Sequence, residues 1–184
     1  MKMKTQSTIT PDKIWIRGLN NGIRTINLTK NVVKIKKEEQ DIFEYDEITV
    51  VIQERDNIEK YVLDNFEALF TLGQAQFANK KYEEFSNECA SKILSGFVSN
   101  CLGEDKVFDS GMGNQATIQG LVLTALLNKS GLMPKQEILE HKTINDVGCY
   151  PFTNDQIIKL GLDLKAHITA CKKEAELKMS ELFK

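Results

Sequence analysis

The stretch Glu47-Ile48-Thr49-Val50-Val51-Ile52, followed by Asp56-Asn57-Ile58 and then Tyr61, Val62, Phe66, Leu69 and Phe70, decides the fold class. Its first half is dense in β-branched residues, which suit a pleated, half-buried surface, and predicts a strand. In its second half apolar residues recur at helical spacing behind Asp56 and Asn57, both suited to an N-cap, and predict an amphipathic helix that ends at Gly73. A strand followed at once by a helix with one apolar stripe predicts a helix covering one face of a sheet.

Upstream, residues 14–53 form short β-branched or aromatic runs broken by turn chemistry. Trp15-Ile16 precedes Gly18-Leu19-Asn20-Asn21-Gly22, and Asn21-Gly22 is a hairpin signal. Ile26, Leu28, Val32, Val33 and Ile35 continue the pattern. Residues 1–73 are therefore expected to be a β-rich N-terminal docking domain.

Downstream, residues 74–184 are expected to form a mainly helical domain with a short hairpin, which makes the class α+β. One helix is expected over residues 74–98, with Phe77, Tyr82, Phe85, Cys89, Ile93, Leu94 and Phe97 inward and Lys80, Lys81, Glu83, Glu84, Glu88 and Lys92 outward. A turn-rich loop, residues 107–115, leads to a third helix over residues 116–127 that is apolar nearly all round and is expected to be buried. Ser130-Gly131 and Pro134 end it, and a hairpin is expected within residues 137–150, with Asn145-Asp146 and Gly148 as turn signals. Thr153 and Gln156 form a capping box with Phe152 as the staple, opening a terminal helix that bears Ile157, Leu160, Leu164, Ile168 and Cys171. Past Cys171 the helix becomes strongly charged, leaving Leu177, Met179 and Leu182 scattered, and its end is expected to project or to self-associate.

Composition narrows the function. The 184 residues carry 41% hydrophobic and 27% charged side chains, as in an ordinary globular protein. The net charge of −2 comes from interspersed signs, and only Arg17, Arg24 and Arg55 are arginine, so nucleic-acid binding has no electrostatic footprint. Cys89, Cys101, Cys149 and Cys171 are widely spaced without a CxxC pair, and the histidines are His141 and His167, so neither a zinc nor a redox motif is written. No apolar leader and no run of about 18 apolar residues is found, so reduced thiols and synthesis in a cytoplasm are expected, with no membrane contact.

Candidate chemistry is sparse. Gly111-Met112-Gly113-Asn114-Gln115 has the outline of a phosphate-cradling loop but lacks the Lys-Ser/Thr of a P-loop and the acidic partner of a dinucleotide fold. His141 or His167, oriented by Asp109 or Asp163, would suit a base, although an i,i+4 surface pair explains Asp163 and His167 without catalysis. Cys89 and Cys171 fall on apolar helical faces; Cys101 and Cys149 fall in loops, where a thiol can react. No catalytic, cofactor-binding or metal-ligating residue is assigned, and no enzyme activity is expected. The runner-up from a different class is a small hydrolase or nucleotide-binding enzyme built on the glycine loop or His141.

Phe108-Asp109-Ser110, Asn114-Gln115-Ala116-Thr117-Ile118, Lys142-Thr143-Ile144-Asn145-Asp146, Phe152-Thr153-Asn154-Asp155-Gln156 and the later His167 stand in an order that resembles a helical domain of unknown function in tail-fibre and baseplate-region proteins of tailed bacteriophages. The resemblance runs from Tyr82 to Leu182. The tryptophan often found near the hairpin of that family is missing, the sole tryptophan being Trp15, so no role for the hairpin carries over. The resemblance implies a structural tail or baseplate component of a phage or phage-tail-like particle that attaches or supports fibres or receptor-binding proteins. Its partners would be other tail, baseplate or fibre proteins, with self-association as a homo-oligomer also open. The alternative is a tail-fibre assembly chaperone that is not retained in the particle.

Overall fold

The computed structural model describes residues 4–37, 40–132, 139–144 and 148–182. It is an α+β fold: a sheet of four strands comes first, then helices interrupted by two short hairpins. The chain forms two compact units, Met1–Glu83 with Glu181–Lys184, and Glu84–Ser180.

The first unit is built on β1 (Lys4–Ser7), β2 (Ile14–Asn20), β3 (Ile23–Lys37) and β4 (Gln40–Gln53), antiparallel in the order β1-β4-β3-β2. The β2–β3 turn is Asn21-Gly22, both at positive φ (49° and 73°), the backbone that matches the twist of a tight hairpin. Register then sorts the faces. Ile26 opposes Val50 and Leu28 opposes Ile48, while Ile14 and Ile16 of β2 align with Leu28 and Ile26. These side chains share one face, and the four from β3 and β4 are buried.

Helix α1 (Ile58–Asp64) and the start of α2 (Phe66–Leu94) cover that face through Val62, Phe66, Leu69 and Phe70. Each such side chain contributes about 1.5–3 kcal/mol on burial, so this one layer dominates the unit's stability. Asn57 precedes α1 in a left-handed conformation, but its side chain makes no cap hydrogen bond.

The helix does not stop at Gly73, as the sequence led us to expect: α2 passes through it. A Cβ at Gly73 would lie 2.9 Å from Ile48 Cγ1 and 3.1 Å from the Thr49 carbonyl oxygen. The residue is glycine so that helix backbone can approach strand backbone, which composition alone cannot separate from a stop signal. The same helix ends at Leu94, leaving Phe97 in a strand. Tyr82, expected inside, is exposed.

The second unit contains the end of α2, the hairpin β5 (Phe97–Ser99) and β6 (Lys106–Phe108), α3 (Met112–Ser130), the hairpin β7 (Leu139–His141) and β8 (Tyr150–Phe152), and α4 (Asn154–Glu181). The expected hairpin region is thus realised with Tyr150–Phe152 as its second strand; Asn145 and Asp146 lie outside the described residues. Phe108, fully buried, is the hub. Its ring lies 5.8 Å from Phe97 and 6.3 Å from Phe152. Around it pack Ile118, Leu139, Ile157, Leu160 and Leu164.

The capping box forms: Thr153 N donates to Gln156 Oε1 (2.8 Å) and Gln156 N donates to Thr153 Oγ1 (3.3 Å). Phe152 and Ile157, the staple pair, meet in the core. Two expectations for this unit need correction. Helix α3 is not buried all round; only Ile118 and Ala125 are. The charged part of α4 does not project free either, since Glu174 pairs with Lys92 (2.5 Å) and Lys178 with Glu88 (2.7 Å), which ties it to the end of α2.

Candidate functional site

The glycine loop is a structural turn. Asp109 Oδ1 accepts from Gly111 N (2.6 Å) and its Oδ2 accepts from Asn114 Nδ2 (2.7 Å). Gln115 Nε2 donates to the Ser110 carbonyl (2.7 Å), and the fully buried Ser110 Oγ accepts from Gly96 N (2.8 Å). A phosphate cradle needs backbone N–H groups facing an anion. Here the Asp109 carboxylate already takes one of them at the start of α3 and would repel a second negative group. The strand leading into the loop is half of an antiparallel hairpin, not the parallel strand of a nucleotide fold.

The two histidines stand in different settings. His141 on β7 is buried and stacks nearly parallel to Phe108 (6.3 Å, 8°). Its Nε2 has no hydrogen-bond partner among the described residues. Burial holds its pKa below the ordinary imidazole value, Asp109 partly opposing that shift and Lys142 adding to it. His167 on α4 faces the end of α2, with Nε2 3.2 Å from the Lys92 carbonyl and its ring stacked on Phe97 (6.1 Å).

Asp163 does not pair with His167, contrary to the i,i+4 expectation. It accepts from Lys159 Nζ (2.9 Å) and from Ser99 Oγ (2.6 Å). The lysine's flexible stem places a full charge on the carboxylate, whereas the His167 ring is held against Phe97. Ser99 is buried, and its hydroxyl also accepts from Cys101 N (3.2 Å). The Ser99–Asp163 link clamps β5 to α4. No pattern in the sequence pointed to it, because the two residues are 64 positions apart.

Cys101, expected in a loop and open to reaction, is buried, and burial pushes its thiol pKa up. Cys171 is buried as expected and is raised for the same first reason. Cys89 is half-buried and Cys149 exposed. No group of three potential His, Cys, Asp or Glu metal ligands occurs among the described residues. No described helix is long and apolar enough to cross a membrane.

Two surface recesses stand out. Beside β4 in the first unit, Arg17, Glu47, Thr49, Gln76 and Phe77 border a recess of about 510 Å³. Its floor is Asn27, whose Nδ2 donates to Glu47 (2.7 Å) and whose Oδ1 accepts from Thr49 Oγ1 (3.2 Å). The Arg17 guanidinium lies over the exposed Trp15 ring at 4.5 Å. In the second unit an apolar groove of about 570 Å³ runs between α3 and α4. Val122, Leu126, Ile158 and Ile168 line it, with Leu162 and Lys165 at its edge. Val122, Ile158 and Ile168 are half-buried, while Leu126 and Leu162 are exposed, and an aliphatic groove between helices suits a helical partner. Comparisons with protein-family models, curated proteins and solved structures give no match.

Proposed function

We propose that the chain is a structural component of a phage or phage-tail-like particle, acting in the tail or baseplate to attach or support fibres or receptor-binding proteins. The observation that carries this is the uncovered apolar surface of α3 and α4. An assembly protein needs such a surface, and among the described residues Leu123, Leu126 and Leu162 stay exposed beside Val122, Ile158 and Ile168, which pack against the core. Support also comes from the ordered motifs that resemble the phage domain. In this chain Asp109, Asn114 and Gln115 close a turn, and Thr153 with Gln156 caps a helix. These are the positions a scaffold keeps in place. The candidate chemical groups Asp109, Asp163 and His167 are likewise engaged in internal contacts.

Mass spectrometry of purified particles, followed by cryo-electron microscopy of the tail end, tests the proposal. Stoichiometric presence between baseplate and fibre is the expected result. Absence from particles whose fibres assemble only on co-expression would replace it with an assembly chaperone.

A further inference from the structure

Helix α3 departs furthest from what its composition demands. From Met112 to Asn128 it has no charged side chain, yet Leu123 is 58% exposed and Leu126 49%. Leu162, on α4, is 61% exposed. The two helices run antiparallel, with Val122 against Gly161 and Asn128 near Asn154. A Cβ at Gly161 would fall 2.5 Å from Val122 Cγ2, so the helices meet closely there. The groove follows α4 from Ile158 to Lys172, about 21 Å at 1.5 Å per residue, which accommodates about 14 residues of a third helix.

Its charge selects the occupant. Among the described residues no acidic side chain lines the groove, whereas Lys165 and Lys172 stand on its rim one heptad apart, and Lys173 lies on the adjoining surface. Among the described residues none of these three lysines takes part in the ion pairs that α4 forms. A second copy docked about a two-fold axis centred on this groove would bring the same lysines together, and the described lining offers no carboxylate to receive them. We infer that the α3–α4 groove receives an amphipathic helix of a different protein, aliphatic on its inner side and carrying carboxylates one heptad apart on its flank. The inference rests on the assembly proposal for the existence of such a partner.

The test uses the full chain and two synthetic peptide helices. Both carry leucines at i, i+3, i+7 and i+10; one has glutamates a heptad apart on its flank, the other lysines at those positions. Fluorescence anisotropy should show the glutamate peptide binding at least about tenfold more tightly. The double variant Lys165→Glu/Lys172→Glu should reverse that order, and because both residues are exposed its circular dichroism should match the parent chain. Equal affinity for both peptides, no binding of either, or an order unchanged by charge reversal overturns the inference. So does a concentration-dependent dimer of the chain that Leu162→Glu abolishes. Particle composition is measured separately, so a chain present in the particle whose groove ignores both peptides refutes the groove alone.

Discussion

Gln76 completes the hydrogen bonding of Val51. Its side-chain Nε2 donates to the Val51 carbonyl at 2.9 Å, and the Val51 N–H donates to Gln76 Oε1 at 2.9 Å. Among the described residues β1 pairs with β4 only from Phe43 to Asp46, so at Val51 the β4 edge has no described neighbouring strand. An open edge invites pairing with another chain. Helix α2 closes it in two steps: Gly73 lets the helix lie against Ile48 and Thr49, and one turn later the Gln76 amide imitates a strand residue.

Gln76→Ala should therefore cost about 1–2 kcal/mol, the loss of two hydrogen bonds to a partly covered strand. Gly73→Ala gains about 1 kcal/mol of helix propensity but loses more by pressing on Ile48 and the Thr49 backbone, so a net loss is expected. Urea denaturation, comparing midpoints at constant slope, measures both. A stabilised Gly73→Ala chain would show that the helix does not need its close approach to the strand.

A second local device sits where β3 changes register between Lys30 and Val33. Asn31 lies there at φ 56°, and its Nδ2 donates to the buried carboxylate of Asp46 at 2.5 Å. Two substitutions separate the backbone from the side chain. Asn31→Gly keeps the left-handed backbone and loses only the hydrogen bond. Asn31→Ala loses the bond and adds about 1 kcal/mol of left-handed strain. Thermal unfolding should rank parent, glycine variant and alanine variant in descending stability, and equal values for the two variants would remove the strain contribution.

Much of this was legible in the sequence, for local reasons. The β-branched run at residues 47–52, the Asn21-Gly22 turn and the Thr153–Gln156 box each state their geometry within a few residues, and each formed. Gly73 was misjudged because a glycine that ends a helix and a glycine that admits a neighbouring backbone look alike without the neighbour. Helix α3 was misjudged because an apolar surface declares that it needs cover, not whether its own chain supplies that cover. Asp163 had three potential partners, and its choice of Ser99 and Lys159 depends on the packing of β5 beside α4. The α3–α4 groove shares that origin: its residues come from two helices whose contact is tertiary.

Thiol reactivity follows burial. Cys149 is exposed, while Cys101 and Cys171 are buried with thiols pushed up by desolvation. In the native chain an aromatic disulfide reagent should titrate Cys149 first, as Cys149→Ser would confirm. Cys101 and Cys171 should react only at the rate of opening, and become fast in urea. Prompt modification of Cys101, located by mass spectrometry, would contradict the packing of β5 against α4.

The stability of the second unit should depend on pH through His141. Burial lowers the folded-state pKa below 6.5, the ordinary imidazole value, so on acidification the unfolded chain takes up the proton first. The contribution is accordingly fully present above about pH 6.5 and is lost as pH falls from there toward the folded-state pKa. Protonation would place a charge against Phe108 at a ring nitrogen, Nε2, that has no described partner. The charged and titratable neighbours are Asp109, which favours the proton, and Lys142, which opposes it. His141→Phe keeps a flat ring against Phe108 and removes the titration. Melting temperatures of the parent and variant, followed from about pH 7.5 to 5.5, should diverge steadily below about 6.5, the parent losing more stability. Parallel curves would mean that the folded chain accepts the proton on His141 as readily as the unfolded one, and that the imidazole is not held in a dry core.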